Sequence, residues 1–227
     1  MTSKTKMETI NIILAGVGGQ GSITSGQIAA RAALLAGKGV VMSEVHGMAQ
    51  RGGSVMSTVR YGSAQSPVVS LGEADFLLGF EKLEALRYSP YLRPNGIAIV
   101  SNQQIIPTIE ALKKISYPTD IENRLAASTG LTIIVPALEI AETIGNPRLV
   151  GTVILGVFSA FLTIPATDWA QALGEIVPAK TISLNLQAFE TGADFSRGWQ
   201  LANNYQRTAQ ADVTATPSAD SSFFESA

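Results

Sequence analysis

Six residues, Gly-Val-Gly-Gly-Gln-Gly at 16–21, constrain the fold of this chain more than any other feature. They follow an apolar run at 10–15 (INIILA), which predicts a buried strand, and precede a helix-like stretch at 22–35 (SITSGQIAARAALL). Glycine allows a tight turn and a close approach of main chain to a ligand. The spacing matches the pattern G-x-G-x-x-G in its strand–loop–helix context, which predicts an anion site at the helix N-terminus. A glycine turn that only packs the helix on the strand is the alternative.

Composition excludes several classes of function. The 227 residues carry a net charge of −2, which argues against a nucleic-acid binder because such proteins present a basic face. They contain no cysteine, which excludes disulfides, thiolate nucleophiles and cysteine-held iron–sulfur clusters. The N-terminal residues are polar and do not resemble a signal peptide, and the apolar stretch at 149–164 is short for a membrane span. We therefore expect a cytoplasmic protein whose partners include no membrane and no nucleic acid. With one histidine and no cysteine, we also expect no metal site.

Strand and helix patterns alternate along the first 135 residues and predict a parallel sheet that is covered on both faces. The segment 54–61 alternates apolar and polar residues and directly follows another strand, so we expect it to be antiparallel or at an edge. From about residue 136 onward only helices are predicted. The fold class is α/β: a three-layer Rossmann-like domain over 1–200, with a mostly parallel, mixed sheet, a C-terminal helical extension and a flexible tail at 208–227. The further predicted strands are 40–44, 75–80, 96–100, 131–135 and a candidate at 114–117, and the further helices are 81–87, 120–128, 137–144, 149–162, 167–176 and 181–197.

A second motif, SEVHGMAQRGGSV at 43–55, leaves the carboxyl end of the second strand, where ligands bind in open α/β sheets. We expect it to lie beside the first glycine loop. Arg51 stands before two glycines and could bind a phosphate or a carboxylate. Glu44 occupies the place of a ribose-binding acid, with an ion pair to Arg51 or Arg60 as the alternative. His46 is a candidate general base, although a histidine satisfied by a neighbouring carbonyl or carboxylate is the commoner case.

Five segments in this order resemble the gamma-type subunits and domains of 2-oxoacid:ferredoxin oxidoreductases, and among them the beta subunit of the indolepyruvate type. The resemblance spans about residues 10 to 195. The segments are GVGGQG at 16–21, SEVHGMAQRGGSV at 43–55, GEADFLLGFEKLEALR at 72–87, Asn146 with LVGTVILG at 149–156, and NLQAFETG at 185–192.

The resemblance implies an enzyme subunit. Members of the family decarboxylate a 2-oxoacid oxidatively, transfer the acyl group to coenzyme A and pass two electrons to ferredoxin. Thiamine diphosphate, Mg and iron–sulfur clusters are expected on a larger alpha subunit, so this chain would be inactive alone and active in a hetero-oligomer. The lack of cysteine, and of the thiamine-binding G-D-G pattern, agrees with that division.

The resemblance also implies roles for residues of the two loops. The resemblance implies that a pyrophosphate, that of coenzyme A, would receive hydrogen bonds from the backbone N–H groups of Gly16, Gly18, Gly19 and Gly21. Gln20 and Arg51 would add side-chain donors. Glu44, His46 and Gln50 could face the thiamine pocket of the larger subunit and are the catalytic candidates.

Two other functions remain open from the residues alone. A self-sufficient NAD(P)- or flavin-binding oxidoreductase would need only the glycine motif and Glu44, but the strand at 54–61 interrupts the usual βαβαβ order. A nucleotide-responsive binding module would bind coenzyme A or an adenine nucleotide and support no 2-oxoacid chemistry with any partner.

Overall fold

A computed structural model of the protein describes residues 9–46, 53–105 and 117–203. Its centre is a six-stranded sheet in the order β2-β3-β1-β4-β5-β6. Strands β1, β4, β5 and β6 are parallel, and β3 is antiparallel to both of its neighbours. The mixed, mostly parallel sheet is therefore confirmed. The strands are β1 (Ile10–Val17), β2 (Val40–His46), β3 (Ser54–Tyr61), β4 (Ala74–Gly79), β5 (Leu92–Ser101) and β6 (Leu131–Val135).

Strand β3 is antiparallel as predicted, but it is an interior strand, and β2 forms the edge. Its polar positions have partners in the loop that follows. The Thr58 hydroxyl donates to the Pro67 carbonyl at 2.8 Å. The Arg60 guanidinium donates to the carbonyls of Ser66 and Val68. Alternation along β3 thus reflects a face that is covered by a loop, which sequence periodicity does not distinguish from a face open to solvent.

Seven α-helices in the described ranges form layers on the two faces of the sheet. Helices α2 and α3 cover the face that carries Ile13, Leu77 and Val100, and the other five cover the face that carries Ile12, Leu14 and Leu78. This arrangement confirms the three-layer α/β fold. The helices are α1 (Ser22–Leu35), α2 (Lys82–Tyr88), α3 (Ile121–Ser128), α4 (Ala137–Ile144), α5 (Val150–Ser159), α6 (Ala166–Ile176) and α7 (Ile182–Ala202).

Helix α5 is the buried centre of the helical extension, and its first nine residues are all buried. It ends at Ser159, before the predicted end at 162. The Ser159 hydroxyl donates to the Gly156 carbonyl at 2.7 Å, a side-chain bond that competes with helical pairing. Within the described part of the chain, no helix has both the length and the apolar character that a membrane crossing requires.

Other boundaries differ from the predictions by a few residues. Strand β2 continues to His46, where a loop was predicted from residue 45. Strand β5 begins at Leu92 rather than at 96, because an irregularity in its register against β4 accommodates Pro94, which cannot donate to a ladder.

Residues 114–116 of the candidate strand at 114–117 lie outside the described residues, and Tyr117 is not in a strand. The tail predicted at 208–227 lies outside them as well.

Candidate functional site

The glycine loop connects the carboxyl end of β1 to the first turn of α1. Gly19 and Gly21 have φ angles of 102° and 80°, in the left-handed region that disfavours residues with a Cβ. The Gly18 N–H donates to the Gly53 carbonyl at 2.9 Å and is thereby occupied within the protein. Gly16 lies within β1, where a Cβ would be 3.0 Å from both Gln20 Oε1 and Phe80 Cβ. The four glycines therefore serve different purposes, and Gly16 is required for packing.

The first turn of α1 presents N–H groups at the end of this loop for which the described ranges offer no acceptor. The first helical bond runs from the Ser25 N–H to the Gly21 carbonyl at 2.9 Å, so the N–H groups of residues 22–24 precede the helical pattern. Among the residues that the structure describes, no side chain caps this end of the helix. Gly19, Gly21 and Thr24 are exposed. Exposed glycine backbone beside the positive end of a 14-residue helix can bind a phosphate or a carboxylate.

The Gln20 side chain braces the loop. Its Oε1 accepts the Val17 N–H at 2.7 Å. Its Nε2 donates to the Phe80 carbonyl at 2.8 Å and to Gln103 Oε1 at 2.9 Å. Both amide hydrogens are therefore used within the protein, and a bond from Gln20 to a ligand would require one of these bonds to break. The predicted role of Gln20 as a phosphate donor stays a prediction.

The structure places the end of β2 at the same edge of the sheet as the glycine loop, with β3 between them. Val17 at the end of β1 pairs with Ser54, and the next residue of β3, Val55, pairs with the backbone of His46. Glu44 is half-buried and pairs with Ser57. Residues 47–52, which include the candidates Gln50 and Arg51, lie outside the described residues, as does the side chain of His46.

Of the two ion pairs considered for Glu44, the one with Arg60 is not formed. The Arg60 guanidinium donates to the Asn11 side chain at 2.8 Å and to two loop carbonyls. Arg60 pairs with Val41 rather than with Glu44 in the ladder, and its side chain is on the α2 face. The alternative with Arg51 involves a residue outside the described ranges.

The start of α2 forms a buried polar cluster at the same edge of the sheet, which the sequence analysis missed. Glu81 is 1% exposed, and its Oε2 accepts the Glu84 N–H at 3.0 Å as the cap of α2. Its Oε1 accepts the Ile105 N–H at 3.2 Å and the Tyr117 hydroxyl. Burial, and then the bond to Glu81, raise the pKa of the Tyr117 phenol, so Tyr117 is a neutral donor. Lys82 pairs with Glu122 at 2.8 Å.

Glu84 connects α2 to the beginning of β3. Its side chain is buried, and it accepts the Ser54 hydroxyl at 2.5 Å and the Arg87 Nε–H at 3.2 Å. The Tyr88 hydroxyl lies 3.1 Å from the Ser54 hydroxyl. The segment 72–87 contributed to the resemblance without an assigned role. Glu81 and Glu84 of this segment have a structural role, since their hydrogen bonds hold the polypeptide on both sides of the glycine loop.

The late motifs of the sequence form close helix packing behind the site. Gly151 of α5 lies against Ser25 of α1, and a Cβ at Gly151 would overlap the Ser25 hydroxyl and lie 3.1 Å from Phe80 Cε1. Thr152 donates to Asn185 Oδ1 at 2.7 Å, which ties α5 to α7. The contact of Gly151 with Ser25 thus holds α1, and with it the glycine loop, close against α5.

The described part of this edge carries donors that suit the binding of an anion. In the described ranges, no group of three or more His, Cys, Asp or Glu side chains could hold a metal ion. The edge of the sheet carries the exposed glycine backbone and the first turn of α1, whose N–H groups can donate hydrogen bonds to oxygen, and the side chain of Gln103 lies beside Gln20 there.

Comparison with known proteins agrees with the fold and the motifs. Residues 11–195 match the family described as pyruvate ferredoxin/flavodoxin oxidoreductase. Indolepyruvate oxidoreductase subunit IorB of Archaeoglobus fulgidus is 38% identical over 187 residues, which are 81% of this chain and 93% of that protein. The gamma subunit of a keto/oxoacid ferredoxin oxidoreductase from Geobacter sulfurreducens has a TM-score of 0.62 at 26% identity, covering 83% of this chain and 99% of that one.

A larger solved chain shares the fold alone. The 2-oxoglutarate:ferredoxin oxidoreductase from Magnetococcus marinus has a TM-score of 0.67 at 21% identity. The match covers 84% of this chain and 31% of that one. Its structure was determined with 2-oxoglutarate, coenzyme A and succinyl-CoA bound.

Proposed function

This chain belongs to the pyruvate ferredoxin/flavodoxin oxidoreductase family, as a subunit of a 2-oxoacid:ferredoxin oxidoreductase, and from that premise we propose its part in the reaction. The subunit binds the diphosphate of coenzyme A at its glycine loop. It completes an active site in the cytoplasm with a larger subunit that carries thiamine diphosphate, Mg and the iron–sulfur clusters. The substrate is an aryl pyruvate such as indolepyruvate, and ferredoxin receives the electrons from the larger subunit.

The geometry of the glycine loop carries the coenzyme A proposal. A diphosphate needs several N–H donors at a place that a charged ligand can reach. Residues 22–24 supply backbone N–H groups that precede the helical pattern, and Gly19 and Gly21 are exposed beside them. The helix dipole of α1 favours negative charge at this position. The bound coenzyme A of the Magnetococcus marinus enzyme supports the choice of ligand.

The choice of substrate and partner follows from the relative and from composition. The Archaeoglobus fulgidus protein that is 38% identical to this chain is named for indolepyruvate. These 227 residues contain no cysteine, so cysteine-ligated clusters would be held by another subunit. Glu44 lies near the end of β2 at the edge that carries the glycine loop. We assign Glu44, His46 and Gln50 to the side that faces the thiamine pocket, and Arg51 to the phosphate.

Reconstitution tests this function. The chain is purified alone and together with a co-expressed larger subunit, and reduction of ferredoxin is measured with indolepyruvate, phenylpyruvate, pyruvate and 2-oxoglutarate. We expect no reaction from the chain alone and coenzyme A-dependent reduction by the complex, fastest with the aryl substrates. Activity of the lone chain would contradict the proposal. Binding of coenzyme A without 2-oxoacid chemistry in any complex would support a binding module instead.

A charge placed on the first turn of α1 tests the phosphate site. Thr24→Glu adds a carboxylate that the helix dipole stabilises but that repels a diphosphate. We expect the dissociation constant for coenzyme A to rise about 10-fold or more while the melting temperature stays the same or rises. Thr24→Gln has the same length without the charge and is the matched control. Equal affinity in the two variants would place the diphosphate elsewhere.

A further inference from the structure

Two carboxamides meet at the carboxyl ends of β1, β4 and β5, and the orientation of the first is fixed by backbone groups. Gln20 Oε1 accepts the Val17 N–H at 2.7 Å, and Gln20 Nε2 donates to the Phe80 carbonyl at 2.8 Å. A backbone N–H can only donate, and a carbonyl can only accept. Rotation of the Gln20 amide by 180° would therefore place like groups against each other at both contacts, so this orientation is determined by hydrogen bonding.

The orientation of Gln20 in turn fixes that of Gln103. Gln20 Nε2 donates at 2.9 Å to the side chain of Gln103, which must therefore present its Oε1. The Gln103 backbone is also held, since its carbonyl accepts the Lys82 N–H at 3.1 Å and its N–H donates to Ser101 Oγ at 3.3 Å. The Nε2 group of Gln103 then lies on the side of the amide that faces away from Gln20.

The Gln103 amide has N–H donors that no described residue uses. In the described part of the protein, no acceptor is bonded to Gln103 Nε2, and the residue is half-buried. Its position is the edge of the sheet that carries the glycine loop, because Gln20, its neighbour, belongs to that loop. Ligands of open α/β sheets bind outside this edge. Two N–H donors are thus held in a fixed direction where a ligand is expected.

We propose that Gln103 contacts the ligand of the glycine loop, and that its Nε2 donates a hydrogen bond to a phosphate oxygen of the coenzyme A diphosphate. Gln20 is a positioning residue that holds the Gln103 amide with its nitrogen toward the ligand. The inference rests on the proposed function, since it names a further residue for the same site. It also explains why Gln20 uses both of its own hydrogens within the protein: its contribution to binding passes through Gln103.

Substitution of Gln103 tests the contact in the assembled enzyme. Gln103→Glu keeps an oxygen for Gln20 Nε2 but replaces the N–H donors by a negative charge, and Gln103→Met removes the polar groups at similar length. Gln104→Glu places the same charge on the neighbouring, exposed residue and is the matched control. Calorimetry gives the dissociation constants of coenzyme A and of pantetheine, which lacks the diphosphate. Steady-state KM values for both thiols accompany them.

We expect Gln103→Glu to raise the dissociation constant of coenzyme A about 100-fold and Gln103→Met about 10-fold, in line with a hydrogen bond to a charged group. Pantetheine should bind to both variants as it binds to the unsubstituted enzyme, and Gln104→Glu should leave both constants within about 2-fold of it. Equal weakening of coenzyme A and pantetheine would show a structural role and overturn the inference, as would equal effects of the two glutamates. If the unsubstituted complex does not bind coenzyme A, the proposed function itself fails.

Discussion

A single methyl group between α5 and α7 should destabilise this protein strongly. Helix α7 crosses α5 at Gly192, and the residue of α5 that faces it is Gly156, which has no side chain. Both glycines are buried. A Cβ at Gly192 would overlap the Val153 carbonyl oxygen, lie 3.0 Å from the Val153 carbonyl carbon and lie 3.2 Å from Gly156 Cα. All three atoms belong to the backbone of a buried helix, so no flexible side chain can move away.

The magnitude follows from those distances. Carbon atoms in contact lie about 3.5–4.0 Å apart, so the two helices must separate by roughly 0.5–1 Å to admit the Cβ. A gap of that size forfeits a quarter to a half of the dispersion energy of each contact along the crossing. Overpacking costs about 1–3 kcal/mol in general, and because the backbone is rigid on both sides we expect Gly192→Ala to cost about 3 kcal/mol. For a chain of this size that lowers the melting temperature by about 6–12 °C.

The same helix provides the control. Gly198 is exposed on α7, and a Cβ there would meet no atom within 4 Å. Gly198→Ala should therefore stabilise the protein by about 0.5–1 kcal/mol, because alanine is the better helix former. Thermal unfolding of both variants, followed by circular dichroism, should give shifts of opposite sign. Shifts of the same sign and size would refute the argument that contact across the α5–α7 crossing, rather than helix propensity, decides the effect.

Three further predictions concern hydrogen bonds and protonation. Gln20→Met should destabilise the protein by about 2–4 kcal/mol, because it leaves the Val17 N–H and the Phe80 carbonyl without their partner; denaturant titration measures the loss. Hydrogen bonds from Arg31, and then from Gln171, lower the pKa of Glu175 from 4.5 to about 2. This carboxylate therefore contributes stability above its ordinary pKa, and the contribution is lost as pH falls through about 2. An NMR titration of Glu175 should give the low pKa. Burial raises the pKa of Tyr61, whose hydroxyl donates to the Ala29 carbonyl at 3.0 Å. The contribution of Tyr61 to stability therefore falls as pH rises above its ordinary pKa of 10.0. Ultraviolet absorbance should show no tyrosinate from Tyr61 before the protein unfolds.

The elements near the glycine motif could be predicted because their signals are local. The run at 10–15 and the helix at 22–35 follow from hydrophobic pattern and glycine chemistry within about 25 residues. The same holds for the change to an all-helical extension near residue 136. The segment at 54–61 is harder to place, because a later loop covers its polar residue Thr58, and no periodicity reports such a contact.

The polar contacts that hold the site could not be predicted, because they join residues far apart in sequence. Gln20 bonds to Gln103 across 83 positions and to the Phe80 carbonyl across 60. Glu81 meets the Tyr117 hydroxyl across 36. A sequence shows that these residues are polar, but the pairing depends on which strands become neighbours. The interposed β3 shows the same dependence, because it separates β2 from β1.

That interposition also distinguishes the site from a nicotinamide site. In the dinucleotide-binding fold, the strand that carries the ribose-binding acid neighbours β1. Here β3 lies between them, Glu44 pairing with Ser57 and Ser57 with Leu14 of β1. At about 4.8 Å per strand, Glu44 lies roughly 10 Å from β1, one strand farther than a ribose anchor. We therefore expect no saturable NADH binding in a fluorescence titration of the purified chain; binding that Glu44→Ala abolishes would show that the acid reaches a ribose in spite of the intervening strand.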